Sequence, residues 1–204
     1  MSRFFWKLAN QSDSKKQSER SIIQTMMQKI DRVFKVCTVL GLALLIVACT
    51  NALNWRKATV NNERVQLLMP CKPDQASREM QIGPDVKVSL TLKGCEASGM
   101  HFTMAHMQVP QGMASTDVLT KWQKASLASM QAGPQDVVTM NWSLKGAQQA
   151  PPPERVLVQN GQHLVQMVWF VLADQIYQAA VYGHSKEKQL PDAAETYFTG
   201  IELL

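Results

Sequence analysis

Twenty consecutive uncharged residues, 36–55, set the first constraint on what this chain can become. The strongly apolar part, VCTVLGLALLIVAC over residues 36–49, lacks the polar face of a helix packed on a soluble core. A spanning helix needs about 17–25 such residues and a signal-peptide core about 7–15. The run therefore predicts a single N-terminal transmembrane or signal helix. Residues 1–35 hold eight basic and three acidic side chains, with Lys29, Arg32 and Lys35 just before the run. Positive charge on that side keeps it in the cytoplasm and sends the remainder across.

Two fates of the segment are open. It can remain as a signal anchor. Alternatively, Ile46-Val47-Ala48-Cys49 is a lipobox and Cys49 becomes the lipidated N-terminus of a lipoprotein. A lipoprotein lead is usually short, and a start at Met26 or Met27 would make this one short. Read from Met1, the retained helix is favoured. Either fate gives a domain attached to the bilayer through residues 36–55.

The tail carries the whole formal charge of +5; residues 36–204 hold thirteen basic and thirteen acidic residues. A domain without net charge lacks the electrostatic footprint of a phosphate-backbone binder, which argues against a nucleic-acid partner. Of the four cysteines, only Cys71 and Cys95 lie beyond the apolar run. In an exported domain such a pair most simply forms one disulfide. A metal site would need more ligands, and there is no Cys-x-x-Cys.

Hydrophobic periodicity gives the rest. Residues 1–35 read as a polar basic tail, 36–55 as the membrane segment, 56–63 as a linker and 64–204 as one folded domain. Strands are expected over 64–69, which stops at Pro70, and over 85–93, where Val86, Val88, Leu90 and Leu92 alternate with polar residues. A turn over 94–99 leads to a strand over 100–109. Ser115 or Thr116 caps a helix over 116–132, with Leu119, Trp122, Ala125 and Met130 on one face and Gly133-Pro134 as the stop. Strands follow over 136–144, 155–159, 163–173 and 176–183. Asn160-Gly161 marks one turn and Asp174-Gln175 another. Pro191 opens a short helix over 191–199. The fold class is α+β: an antiparallel sheet, meander plus hairpin, covered by one long and one short helix.

The run Leu68-Met69-Pro70-Cys71-Lys72-Pro73, the alternating strand, Cys95, the Asn160-Gly161 hairpin, Gln175-Ile176-Tyr177-Gln178 and the closing AAETYFTGIEL of residues 193–203 together resemble uncharacterised envelope proteins of Gram-negative beta-proteobacteria. More broadly the pattern is similar to PsbP-like α/β/α domains. The resemblance implies a fold, a central antiparallel sheet covered by helices, and the envelope as compartment; with the apolar run, the expected location is the inner membrane with a periplasmic domain, or a lipid anchor through Cys49. It carries no activity with it, because fold does not fix function.

Candidate chemistry is sparse. Met100, Met104 and His106 fall on one face of a strand and are the one cluster that suits a soft metal such as Cu(I); His101 and Met107 fall on the other face. Methionines also fill core gaps, and they occur throughout the domain. Asp174 and His184 could meet across the last hairpin. No nucleophile elbow, zinc-protease helix, P-loop or dinucleotide fingerprint is present, so no catalytic residue and no cofactor is assigned. The aromatic set Trp122, Trp142, Trp169, Tyr177, Tyr182, Tyr197 and Phe198 reads either as core or as the lining of an apolar pocket. The expected function is non-enzymatic: an accessory or binding domain for an envelope protein or cell-wall component. The alternative is a small-ligand or copper carrier, and an enzyme comes third.

Overall fold

The computed structural model describes residues 53–83 and 86–204. The tail over 1–35, most of the apolar run and Cys49 lie outside the described residues. Among the described residues no helix is long and apolar enough to cross a membrane. Residues 53–55, the end of that run, belong to the folded domain. Asn54 N–H donates to the Pro70 carbonyl at 2.9 Å, and the Trp55 ring meets Phe102 edge-on at 5.8 Å.

The domain is α+β with antiparallel sheets and two α-helices. The first strand, β1 (Arg56–Val60), lies where the sequence suggests only a linker. It pairs with β2 (Val65–Met69), and the C-terminal β10 (Glu202–Leu203) adds to the other side of β2, giving the order β1-β2-β10. The larger sheet has seven strands: β3 (Asp74–Gly83), β4 (Val86–Ala97), β5 (Met100–Gln108), β6 (Val137–Met140), β7 (Glu154–Asn160), β8 (His163–Leu172) and β9 (Gln175–His184). Their spatial order is β3-β4-β5-β9-β8-β7-β6. Helix α1 (Ser115–Ser129) follows β5, and helix α2 (Leu190–Thr199) follows β9.

The seven-stranded sheet separates two cores. On one face, α2 and the small sheet pack over it: Leu67 and Met69 of β2, Met100, Phe102 and Met104 of β5, and Tyr197 and Phe198 of α2 meet Val168, Phe170 and Tyr177. On the other face, Val118, Leu119 and Trp122 of α1 cover Met107, Met167, Trp169 and Ile176. The pleat turns successive side chains to opposite sides, so β8 sends Met167, Trp169 and Val171 to one core and Val168 and Phe170 to the other. Covered on both faces, β8 reads as a nearly continuous apolar run.

Several expectations shift. Strand β3 is new; its sequence DQASREMQIG is mostly exposed, because it is an edge strand held by its pairing with β4. Strand β4 runs through Gly94 to Ala97, and the turn is only Ser98-Gly99, both at positive φ (52° and 72°), as a tight hairpin requires. Helix α1 begins after Ala114, which has no side-chain oxygen to cap it, and Ala125 is exposed; the half-buried Ser126 and Leu127 continue the inner face instead.

Cross-layer links hold the small sheet in place. Cys71, just past β2, is disulfide-bonded to Cys95 on β4. Lys93 Nζ donates to the Thr59 carbonyl at 2.6 Å, and Asn61 Nδ2 donates to Tyr177 Oη at 2.6 Å. Below α2, the buried Arg155 guanidinium donates to Glu195 at 2.7 Å and to Gln166 at 2.6 Å, and lies 5.0 Å from the Phe198 ring centroid. Gly183 permits the first turn of α2 to approach: a Cβ there would stand 2.6 Å from Leu190 Cδ1.

Candidate functional site

The sheet outruns the helix that covers it. Strand β8, ten residues long, extends about 33 Å, whereas α1, with 15 residues, extends about 22 Å. Helix α1 ends at the β7–β8 hairpin, where Asn160 Nδ2 donates to the carbonyls of Met130 and Gln131, each at 3.1 Å. The last two rows of the α1 face then form the floor of a cleft of about 800 Å³, walled on one side by Ser129, Met130 and Gln131.

Register builds those rows. In the outer row Asn160, His163 and His184 stand opposite one another on β7, β8 and β9. In the inner row Val158, Val165, Tyr182 and His101 do the same across β7, β8, β9 and β5. Three of the chain's four histidines therefore line one cleft. The rings of His163 and His184 are near-parallel, 28° apart, with centroids separated by 5.6 Å. His184 Nδ1 is buried and has no hydrogen-bond partner. His101 Nδ1 lies 3.8 Å from Glu96 on the neighbouring strand, both groups well exposed. Burial pushes the Tyr182 phenol above its ordinary pKa, and a hydrogen bond with Thr103 partly opposes this.

Met100, Met104 and His106 occupy alternate positions on the α2 face of β5, away from the cleft. Met100 and Met104 are fully buried in the core. His106 is half-buried and stacks on Tyr177 at 5.7 Å, with Nδ1 3.4 Å from Gln175 Oε1. Burial lowers its pKa; the contact with Gln175 acts to raise it, and Lys93 acts to lower it further. Among the described residues no group of three or more His, Cys, Asp or Glu is placed to hold a metal ion.

Asp174 and His184 do not meet. Asp174 lies in the turn beside the Leu172–Gln175 pair, whereas His184 pairs with His163 at the far end of the same hairpin. Of the aromatic set, Trp122, Trp169, Tyr177, Tyr197 and Phe198 are buried in the two cores. Tyr182 alone of them faces the histidine cleft. Trp142 and Phe198 border a separate depression of about 850 Å³ near the C-terminus, with Leu144, Ile201 and Leu203.

The sequence held one signal for the histidine pair. Once the β8–β9 turn is placed at Ala173-Asp174, hairpin register alone sets His163 opposite His184. A turn placed one residue later puts Lys186 there instead. Compared with known proteins, the chain matches no protein-family model and no curated protein.

Proposed function

We propose that this chain is a non-enzymatic, membrane-anchored binding module of the bacterial cell envelope, and that its domain engages an envelope protein or cell-wall component through the histidine-lined cleft. The observation that carries this reading is the cleft at the end of α1, where the exposed His101, Gln162 and His163 and the half-buried Asn160, Tyr182 and His184 converge over the buried Val158 and Val165, a convergence of polar groups on apolar packing that suits a recognition site. The anchored, periplasmic placement is supported by the basic-flanked apolar run and by the Cys71–Cys95 disulfide, a bond that persists in oxidising compartments. A kinship with PsbP-like domains is part of the proposal, supported by the antiparallel sheet with a helix on each face.

The test is a photo-crosslinking side chain placed in cells at Gln162, exposed on the cleft rim, and at Glu79 on the distant edge strand β3. A defined adduct from position 162 and none from 79 is the expected result; adducts at 79 alone would refute the cleft as the binding face. A reporter fused after Leu204 is expected to be active only outside the cytoplasm. A second reading, a small-ligand or metal carrier, is favoured by the cross-strand pair His163 and His184.

A further inference from the structure

We propose that His163 and His184 form a surface site for a divalent transition-metal ion, each ring supplying one nitrogen and water completing the coordination sphere. This goes beyond the docking role and stands whether or not a partner binds the cleft. The first observation is register: the two residues are direct cross-strand partners, so their Cβ atoms project side by side from one face. The second is ring placement. Two imidazoles bound through one nitrogen each, at about 2.0–2.1 Å around a tetrahedral ion, set their ring centroids about 5 Å apart. The observed 5.6 Å is close to that spacing, and the near-parallel rings need only turn about their side-chain bonds for a nitrogen of each to point at one ion. The third is His184 Nδ1, buried with no hydrogen-bond partner. Buried polar atoms nearly always have a partner, and one without is open to a water or an ion.

The surroundings allow the ion to arrive and to keep water. The pair lies at the mouth of the cleft, His163 is exposed, and His184 is half-buried. Imidazole suits Cu²⁺, Ni²⁺ and Zn²⁺, and among divalent ions Cu²⁺ binds nitrogen sites most tightly. Two protein ligands and open positions make an exchangeable site, unlike the closed four-ligand sites that hold structural zinc. The third histidine of the cleft, His101, sits one row inward opposite Tyr182 and outside the pair.

The test titrates Cu²⁺ into the chelator-stripped full-length chain, followed by calorimetry and electron paramagnetic resonance. The wild type is expected to bind one saturable Cu²⁺ with a spectrum of two equatorial imidazole nitrogens. His163→Gln lies on an exposed strand end and keeps the fold. It is expected to leave one nitrogen and to weaken binding at least about tenfold, the lower bound seen for losing even an outer-sphere partner. His184→Gln is expected to do the same, and His106→Gln, on the opposite face, to change nothing. No saturable binding by the wild type, or His163→Gln binding with the wild-type affinity and spectrum, overturns the proposal.

Discussion

Replacing Arg155 tests how the α2 layer is held. The guanidinium side chain is only 7% exposed, whereas that of its ion-pair partner Glu195 is 59% exposed. The two halves of the pair should therefore respond unequally. Arg155→Ala leaves the buried Gln166 carbonyl without its donor, a cost of about 2 kcal/mol, and removes a cation from the Phe198 ring, about 1 kcal/mol more. The expected loss is about 3 kcal/mol, or a fall of roughly 6–12 °C in Tm for a domain of this size. Glu195→Ala removes only the solvent-facing partner and is expected to cost about 1 kcal/mol or less. The double variant Arg155→Leu with Gln166→Leu deletes the polar network on both sides. It should recover most of the loss, because apolar replacement of a buried ionic group is often neutral. The assay is urea unfolding of the oxidised chain followed by circular dichroism, with an unchanged m-value as the check that only stability moved. Equal losses in Arg155→Ala and Glu195→Ala, or no recovery in the double variant, would refute the reasoning.

Reducing the disulfide, or Cys71→Ser with Cys95→Ser, is expected to lower stability by about 3–4 kcal/mol for a loop of this length, read in the same urea assay. Mass spectrometry after alkylation without reductant should find neither thiol free. Ala173 sits in the β8–β9 turn at φ 53°, where glycine carries no Cβ penalty, so Ala173→Gly is expected to stabilise by about 1 kcal/mol in thermal unfolding. Tyr177, Tyr182 and Tyr197 all have phenol pKa values raised by burial. The unfolded chain then loses these protons first, so their contribution is full below the ordinary value of about 10 and is lost as pH rises above it. His106, lowered by burial, works in the opposite direction. Its contribution is present above about pH 6.5 and is lost as pH falls through the folded-state value, and His106→Gln should remove that acid-side slope from a pH series of unfolding midpoints.

The elements that fill the two cores were legible in the sequence, because burial imposes period. The alternation of Val88 and Leu90, the apolar run of β8 and the Ala193-Ala194-Tyr197-Phe198 spacing of α2 each mark an inner face. The edges were not. Strand β3 is polar and largely exposed and β1 buries only Val60, so pairing with their neighbours makes them strands. Ala125 fails as a core position because the buried stripe of Val118, Leu119 and Trp122 continues at helical spacing through Ser126, Leu127 and Met130. The cleft was least legible. Its histidines lie 62 and 21 residues apart along the chain (His101 to His163, then His163 to His184) and meet only through strand order and register. The sheet also puts His106 on the face opposite the other three; strand alternation in the sequence separates it from His101 but says nothing of His163 and His184.

The two cores are unequally fastened. On the α2 side a disulfide, a buried guanidinium and two cross-layer hydrogen bonds tie small sheet, helix and large sheet together. On the other side, side-chain hydrogen bonds joining α1 and the residues just after it to the sheet are those of Gln123 with Glu154, Gln178 with Ser126, and Asn160 with Met130 and Gln131. Proteins open in units, and the least fastened unit opens first. Amide exchange should therefore be faster in α1 than in α2 and β8. Since the end of α1 is one wall of the histidine cleft, that wall belongs to the unit that detaches most cheaply. An occupant gripping both wall and floor would slow exchange along the whole helix, so occupancy of a site of unknown ligand could be read from the backbone of α1 alone.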